Sequence, residues 1–217
     1  MTVRARHESH LFAALAVLVL PSILAFFPTR YQLLPRGVPF VAAAALAITM
    51  LGAEFATANK VWMRLERWCA AIVLPLATCV QLVLLALLLR DMSKLHPGIS
   101  GLTLLTTSVK IWTTNVLVFA LAYWQVDRGG PAGRMSGWKG RSDFSFPRGD
   151  PSDGVPADWR PIFADYLALA FNTSAAFSPT DVLPLTPRAK MMMLLQSIIS
   201  LVTVVAIGAR AISILSS

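Results

Sequence analysis

Residues 166–190 read YLALAFNTSAAFSPTDVLPLTPRAK, and the reading of this stretch decides the architecture. From Tyr166 to Phe177 the chain is apolar and suited to a helix. A segment of that length rises only about 18 Å at 1.5 Å per residue, short of the ~20 residues that cross a bilayer. Ser178, Pro179, Thr180 and Asp181 then break it, because proline fixes φ and lacks an amide hydrogen. A full apolar span follows at once. A half-length helix, an irregular return and a whole span is the order of a re-entrant segment. Backbone off a helix survives at membrane depth only where protein buries it or water lines it. The segment between Pro161 and Lys190 is therefore the first place to look for a functional site.

The rest of the chain sets that segment in a membrane. Hydrophobic residues make up 56% of the 217 and charged residues 14%, against roughly 25% charge in a soluble domain. Five apolar stretches, at about 10–27, 38–57, 68–89, 102–125 and 190–210, are long enough to span. The expected fold is an all-α polytopic membrane protein with five transmembrane helices plus a re-entrant half-helix before the last. Six spans are the alternative. Three regions follow: a four-helix transmembrane region over 1–126, a polar Gly/Pro-rich loop over 127–160, and the half-helix, break and final span over 161–217. Leu11 to Phe27 exceeds a signal-peptide core and no small-x-small site follows, so a retained first span is expected.

The net charge of +8 sits in loops and at span ends, where it sets orientation and meets anionic headgroups. No basic patch interleaves with aromatics, so nucleic acid is not an expected partner. Cys69 and Cys79 are ten residues apart on one helix, about 15 Å along its axis, too far to bridge. Neither a metal nor a cofactor is expected, and no Ser/His/Asp set or paired catalytic carboxylates point to an enzyme. The expected partners are the lipid bilayer, a second copy of the chain and a small ion.

Several polar residues stand out against this background. Lys110 lies about a third of the way along the fourth span. A cation at the bilayer centre costs roughly 2.5–3.5 kcal/mol, so it either snorkels or finds a partner such as Glu54, Asp165 or Asp181. Gln196, Ser200 and Thr203 recur at i, i+4 and i+7 on one face of the last span, a pattern that serves interhelical hydrogen bonds or lines a polar path. Asn172, Thr173, Ser174, Ser178, Pro179, Thr180 and Asp181 make up the half-helix end and the break. Asn172-Thr173-Ser174 also matches a glycosylation sequon, but an apolar helix is the wrong setting for one.

Two resemblances attach to these residues. Asp181, Pro184 and Thr186, followed by an apolar helix, resemble the pore module of potassium channels. Ala176 to Thr180 would then hold the filter. No glycine is present there and Pro179 takes the tyrosine position, so the resemblance implies a shared scaffold without the potassium filter. The second runs through Ala122 to Pro131, Asp143 to Pro147, Trp159 to Pro161, Asp165 to Leu167 and the Ala176–Asp181 break. It is similar to a bacterial family of small integral membrane proteins, and it implies a five-span protein of unassigned activity. The expected location is a bacterial plasma (inner) membrane.

An N-terminus in the cytoplasm puts Arg4, Arg6, Lys60, Arg64, Arg67, Arg128, Arg134, Lys139, Arg141, Arg148, Arg160, Arg188 and Lys190 inside. Only Arg30, Arg36, Arg90, Lys94 and Arg210 then lie outside, as the positive-inside rule favours. A potassium-type pore would need the opposite. The functional expectation is a channel-like or transport-related protein with a non-potassium pore-loop motif. The alternative is a non-conducting scaffold or accessory subunit.

Overall fold

The computed structural model describes residues 10–55, 60–93, 100–135, 140–147, 159–178 and 181–215. The fold is all-α. The helices are α1 (His10–Ala25), α2 (Gly37–Phe55), α3 (Lys60–Ser93), α4 (Gly101–Val126), α5 (Gly130–Met135), α6 (Phe163–Ala176) and α7 (Pro187–Leu215). Among the described residues three stretches are long and apolar enough to cross a membrane: Val61–Ser93, Gly101–Gly129 and Pro187–Ile212. Two shorter apolar helices, Phe12–Ala25 and Gly37–Gly52, accompany them. Val41, Ile72, Val205 and Ile212 lie largely uncovered on the outside. Apolar surface on that scale is unusual on a soluble monomer and fits a membrane protein.

The hub is α4. Of its most apolar window 61% is buried, against 28% for α3 and 33% for α7, and it packs against α1, α3, α6 and α7. The contacts along α4 fix the direction of the two helices that follow. Trp124 meets Phe163 edge-on, and Trp112 meets Phe171 in the same way. Arg188 reaches Val126 O at 3.4 Å, and Ser200 accepts from Trp112 Nε1 at 3.0 Å. Both α6 and α7 therefore start at the C-terminal end of α4 and run antiparallel to it. After α6 the chain must climb back to that end before α7 begins.

The return has a defined anchor. Strand β1 (Phe144–Ser145) pairs antiparallel with β2 (Leu183–Pro184), in the register Phe144 with Pro184 and Ser145 with Leu183. Phe144 and Val182 are buried beneath this bridge. Thr186 then starts α7: its Oγ1 accepts from Ala189 N and its carbonyl from Lys190 N, with Pro187 in the first turn, where a missing amide hydrogen is harmless.

The polar Gly/Pro-rich loop after α4 is not without structure: it opens with a 3-10 turn at Asp127–Gly129, continues into α5 and contributes β1. The elements are too short to carry a periodicity. The turn needs Arg128, Gly129 and Gly130 at positive φ, and a Cβ on Gly130 would sit 2.8 Å from Gln125 O. The basic, Trp-containing stretch ahead of the apolar run 68–89 belongs to the same helix, since α3 begins at Lys60.

Phe177 ends α6 in the left-handed region, with φ 53° and ψ 26°, where glycine or asparagine usually stands. A bulky residue there costs on the order of 1–3 kcal/mol, and its side chain is exposed. Phe177→Gly should therefore raise stability by about 1 kcal/mol in thermal unfolding, while Phe177→Ala gives no such gain. A loss with Phe177→Gly would contradict the strained turn.

Candidate functional site

The face of α7 singled out by its spacing forms a buried polar seam with α4 and α6. Gln196 Nε2 donates to Ala170 O at 2.7 Å and to Ser174 Oγ at 2.8 Å, and its Oε1 accepts from Tyr123 OH. Asn115 Nδ2 donates to Gln196 O at 3.2 Å and lies 3.5 Å from Ser174 Oγ. Ser200 Oγ donates to Ser174 O at 2.6 Å while accepting from Trp112. Thr173 and Thr203 turn their hydroxyls onto their own helices, at Leu169 O and Ile199 O. All five of Thr173, Ser174, Gln196, Ser200 and Thr203 are buried. The partners from α4 were not singled out beforehand. Trp112, Asn115, Phe119 and Tyr123 recur at i, i+3, i+7 and i+11, which is the signal that marks one helix face.

The remaining candidates lie apart from this seam. Asn172 is half-buried, whereas Ser178 and Asp181 are exposed. Pro179 and Thr180 lie outside the described residues, as does the side chain of Glu54. Asp165 sits in the first turn of α6, where its Oδ2 accepts from Ile162 N at 2.7 Å. Burial raises its pKa above the usual aspartate value, the Ile162 bond opposes this, and the nearby charge of Asp181 adds to the rise. Lys110 has a different partner from those expected. Its Nζ donates to Phe26 O at 2.6 Å and lies over the Phe27 ring, and among the described residues it forms no ion pair. The reason is local: α1 ends there, and the last carbonyls of a helix need donors and favour a cation. Gln32 Nε2 serves the next carbonyl, Phe27 O, at 3.0 Å.

At the C-terminal end of α4 lies an ionic knot in which Asp127, Asp143, Phe144 and Tyr166, all quoted for the family resemblance, take part. Asp127 is fully buried. Its Oδ1 accepts from Ser142 Oγ (2.9 Å), Asp143 N (2.9 Å) and Phe144 N (3.3 Å), and its Oδ2 from Tyr166 OH (2.7 Å). Asp143, also buried, binds Arg188 through both oxygens at 2.6 and 2.5 Å and accepts from Thr186 Oγ1. Arg134 donates to Trp124 O in the last turn of α4 and to Asp127 O just past its end, and lies near the Trp124 and Tyr166 rings. Nearby, Gln125 Nε2 donates to the buried Glu66 at 3.0 Å. At the opposite end Asp91 accepts from Arg30 twice at 2.7 Å and from Tyr31 OH at 2.9 Å. Burial and then the Asp91 carboxylate hold the Tyr31 phenol far above its usual pKa.

Cavities lie away from the seam. One of about 100 Å³ opens among α1, α2, α3 and α4, a smaller one sits under the α1–α2 loop, and a shallow one separates the end of α3 from α7. None of the three includes a seam residue. Among the described residues no group of His, Cys, Asp and Glu could hold a metal ion. No protein-family model, curated protein or solved structure matches the chain.

Gln196→Leu would strand the Tyr123 hydroxyl and remove the Gln196 bonds from α7 to Ala170 and Ser174 on α6, and should cost about 1–3 kcal/mol of stability. Thr203→Val removes only a bond within one helix and should cost less than about 0.5 kcal/mol. Unfolding of the detergent-solubilised variants checks the pair. Equal losses would contradict the seam's role.

Proposed function

We propose that the chain is a non-conducting scaffold or accessory subunit of a bacterial inner membrane. In this reading α1, α2, α3, α4 and α7 cross the bilayer, and α6 with the following break is a re-entrant insert that packs the bundle. The cytoplasmic side is the one holding the N-terminus and the Asp127 knot, as the distribution of Lys and Arg favours. The observation that carries the reading is the seam itself. The hydroxyls and amide of Thr173, Ser174, Gln196, Ser200 and Thr203 all make hydrogen bonds inside the bundle rather than facing a water-filled passage. Residues that carry the resemblance to membrane proteins of unassigned activity, Asp127, Asp143 and Tyr166 among them, meet in one knot, which supports a structural role for them.

The competing reading is a pore on an axis between copies, with Asp181 at its mouth. The outer face of α6 offers such an axis Ala164, Ala168, Phe171 and Ala175, which give an ion no oxygen ligands. Flux of potassium, sodium and chloride into liposomes holding the purified protein separates the two. Flux no greater than in empty liposomes is expected, for the native chain and for Asp181→Asn alike. A cation current reduced by Asp181→Asn would overturn the non-conducting reading.

A further inference from the structure

The cavity among α1, α2, α3 and α4 has a chemistry that the packing role does not use. Its walls are almost wholly apolar, with Leu20, Ala43, Leu46 and Ala77 among them, and its volume is about 100 Å³. A single water needs roughly 10–15 Å³ and two to four polar partners, so a space of this size and polarity suits an apolar guest rather than a water chain.

The polar groups at its wall are all acceptors. Gln81 is 1% exposed. Its Nε2 donates to Ile111 O at 3.3 Å, which fixes the amide orientation, and its Oε1 has no hydrogen-bond partner. Thr114 spends its hydroxyl hydrogen on Lys110 O at 2.8 Å, leaving only lone pairs. Two lining residues from two helices, Gln81 on α3 and Thr114 on α4, thus bring acceptors to one apolar chamber, and their side-chain donors are committed elsewhere. A buried acceptor left without a donor costs on the order of 1–3 kcal/mol.

We propose that this chamber is a binding site for a slender lipid alcohol, a single hydrocarbon chain ending in a hydroxyl, drawn from the surrounding bilayer. The chain fills the apolar volume and the hydroxyl donates to Gln81 Oε1. The site would operate whether or not the protein conducts.

A diazirine-bearing decanol, photolysed with the full chain in lipid nanodiscs and mapped by mass spectrometry, tests this. Crosslinks are expected on the lining residues of α1, α2, α3 and α4. Free 1-decanol should displace the probe about fivefold more effectively than 1-methoxydecane, which lacks the donor, as one neutral hydrogen bond implies. Gln81→Leu, close in volume, should keep the crosslinks and remove the preference for the alcohol. Ala77→Phe, which fills the chamber, should lose the displaceable crosslinks. Equal competition by alcohol and ether in the native chain would overturn the proposal. So would a preference that survives Gln81→Leu, or crosslinks confined to the outer faces of the helices.

Discussion

The buried carboxylate of Asp127 is the constraint on which the second half of the molecule depends. An ionised carboxylate removed from water must be surrounded by donors, or its burial costs more than the fold can supply. Asp127 draws four donors from two places: Ser142 and the amides of Asp143 and Phe144 on the loop, and the Tyr166 hydroxyl on α6. Satisfying this one group brings the loop strand and the start of α6 to the end of α4. Asp143, fixed by that contact, then takes Arg188 and Thr186 at the start of α7. Such pairs add little net stability over an apolar core, but removing one partner leaves a charge stranded. Their effect here is to decide where two helices begin.

A second regularity concerns the cations. Lys110 and Arg134 both end on carbonyls at helix C-termini, Phe26 O directly after α1, and Trp124 O in the last turn of α4 with Asp127 O directly after it. Each thereby supplies donors to groups that would otherwise face lipid or the packed core, and places positive charge at the negative end of a helix dipole. A lysine inside an apolar stretch reads as a cation that either snorkels or finds an acidic partner. Its position is instead accounted for by the early end of α1, which lies far away in sequence.

The apolar stretches that became α1, α2, α3, α4 and α7 were legible because long apolar runs show in local composition. The short α6 was legible because its apolar run ends after a few turns. The face formed by Gln196, Ser200 and Thr203 was visible in its spacing, but spacing does not distinguish a hydrated path from a packed seam. That distinction rests on Tyr123, Asn115 and Trp112, which approach from another helix. The roles of Asp127 and Asp143 were hidden for a similar reason: an aspartate in a polar loop looks solvated until the chain folds its partners around it. The loop's short elements depend on positive φ at Arg128, Gly129 and Gly130, which no periodicity announces.

In the proposed arrangement α6 and α7 enter the bilayer from the same side, with the Asp127 knot at their common origin. The most direct measurement starts from a chain with Cys69 and Cys79 replaced by serine. Single cysteines at Ala164 and at Lys190 are then labelled with a membrane-impermeant maleimide in sealed vesicles of both orientations. Both positions should react from one and the same side, together with a cysteine at Gly140 in the loop. Labelling of Ala164 and Lys190 from opposite sides would mean that residues 161–190 cross the membrane, and would contradict the account.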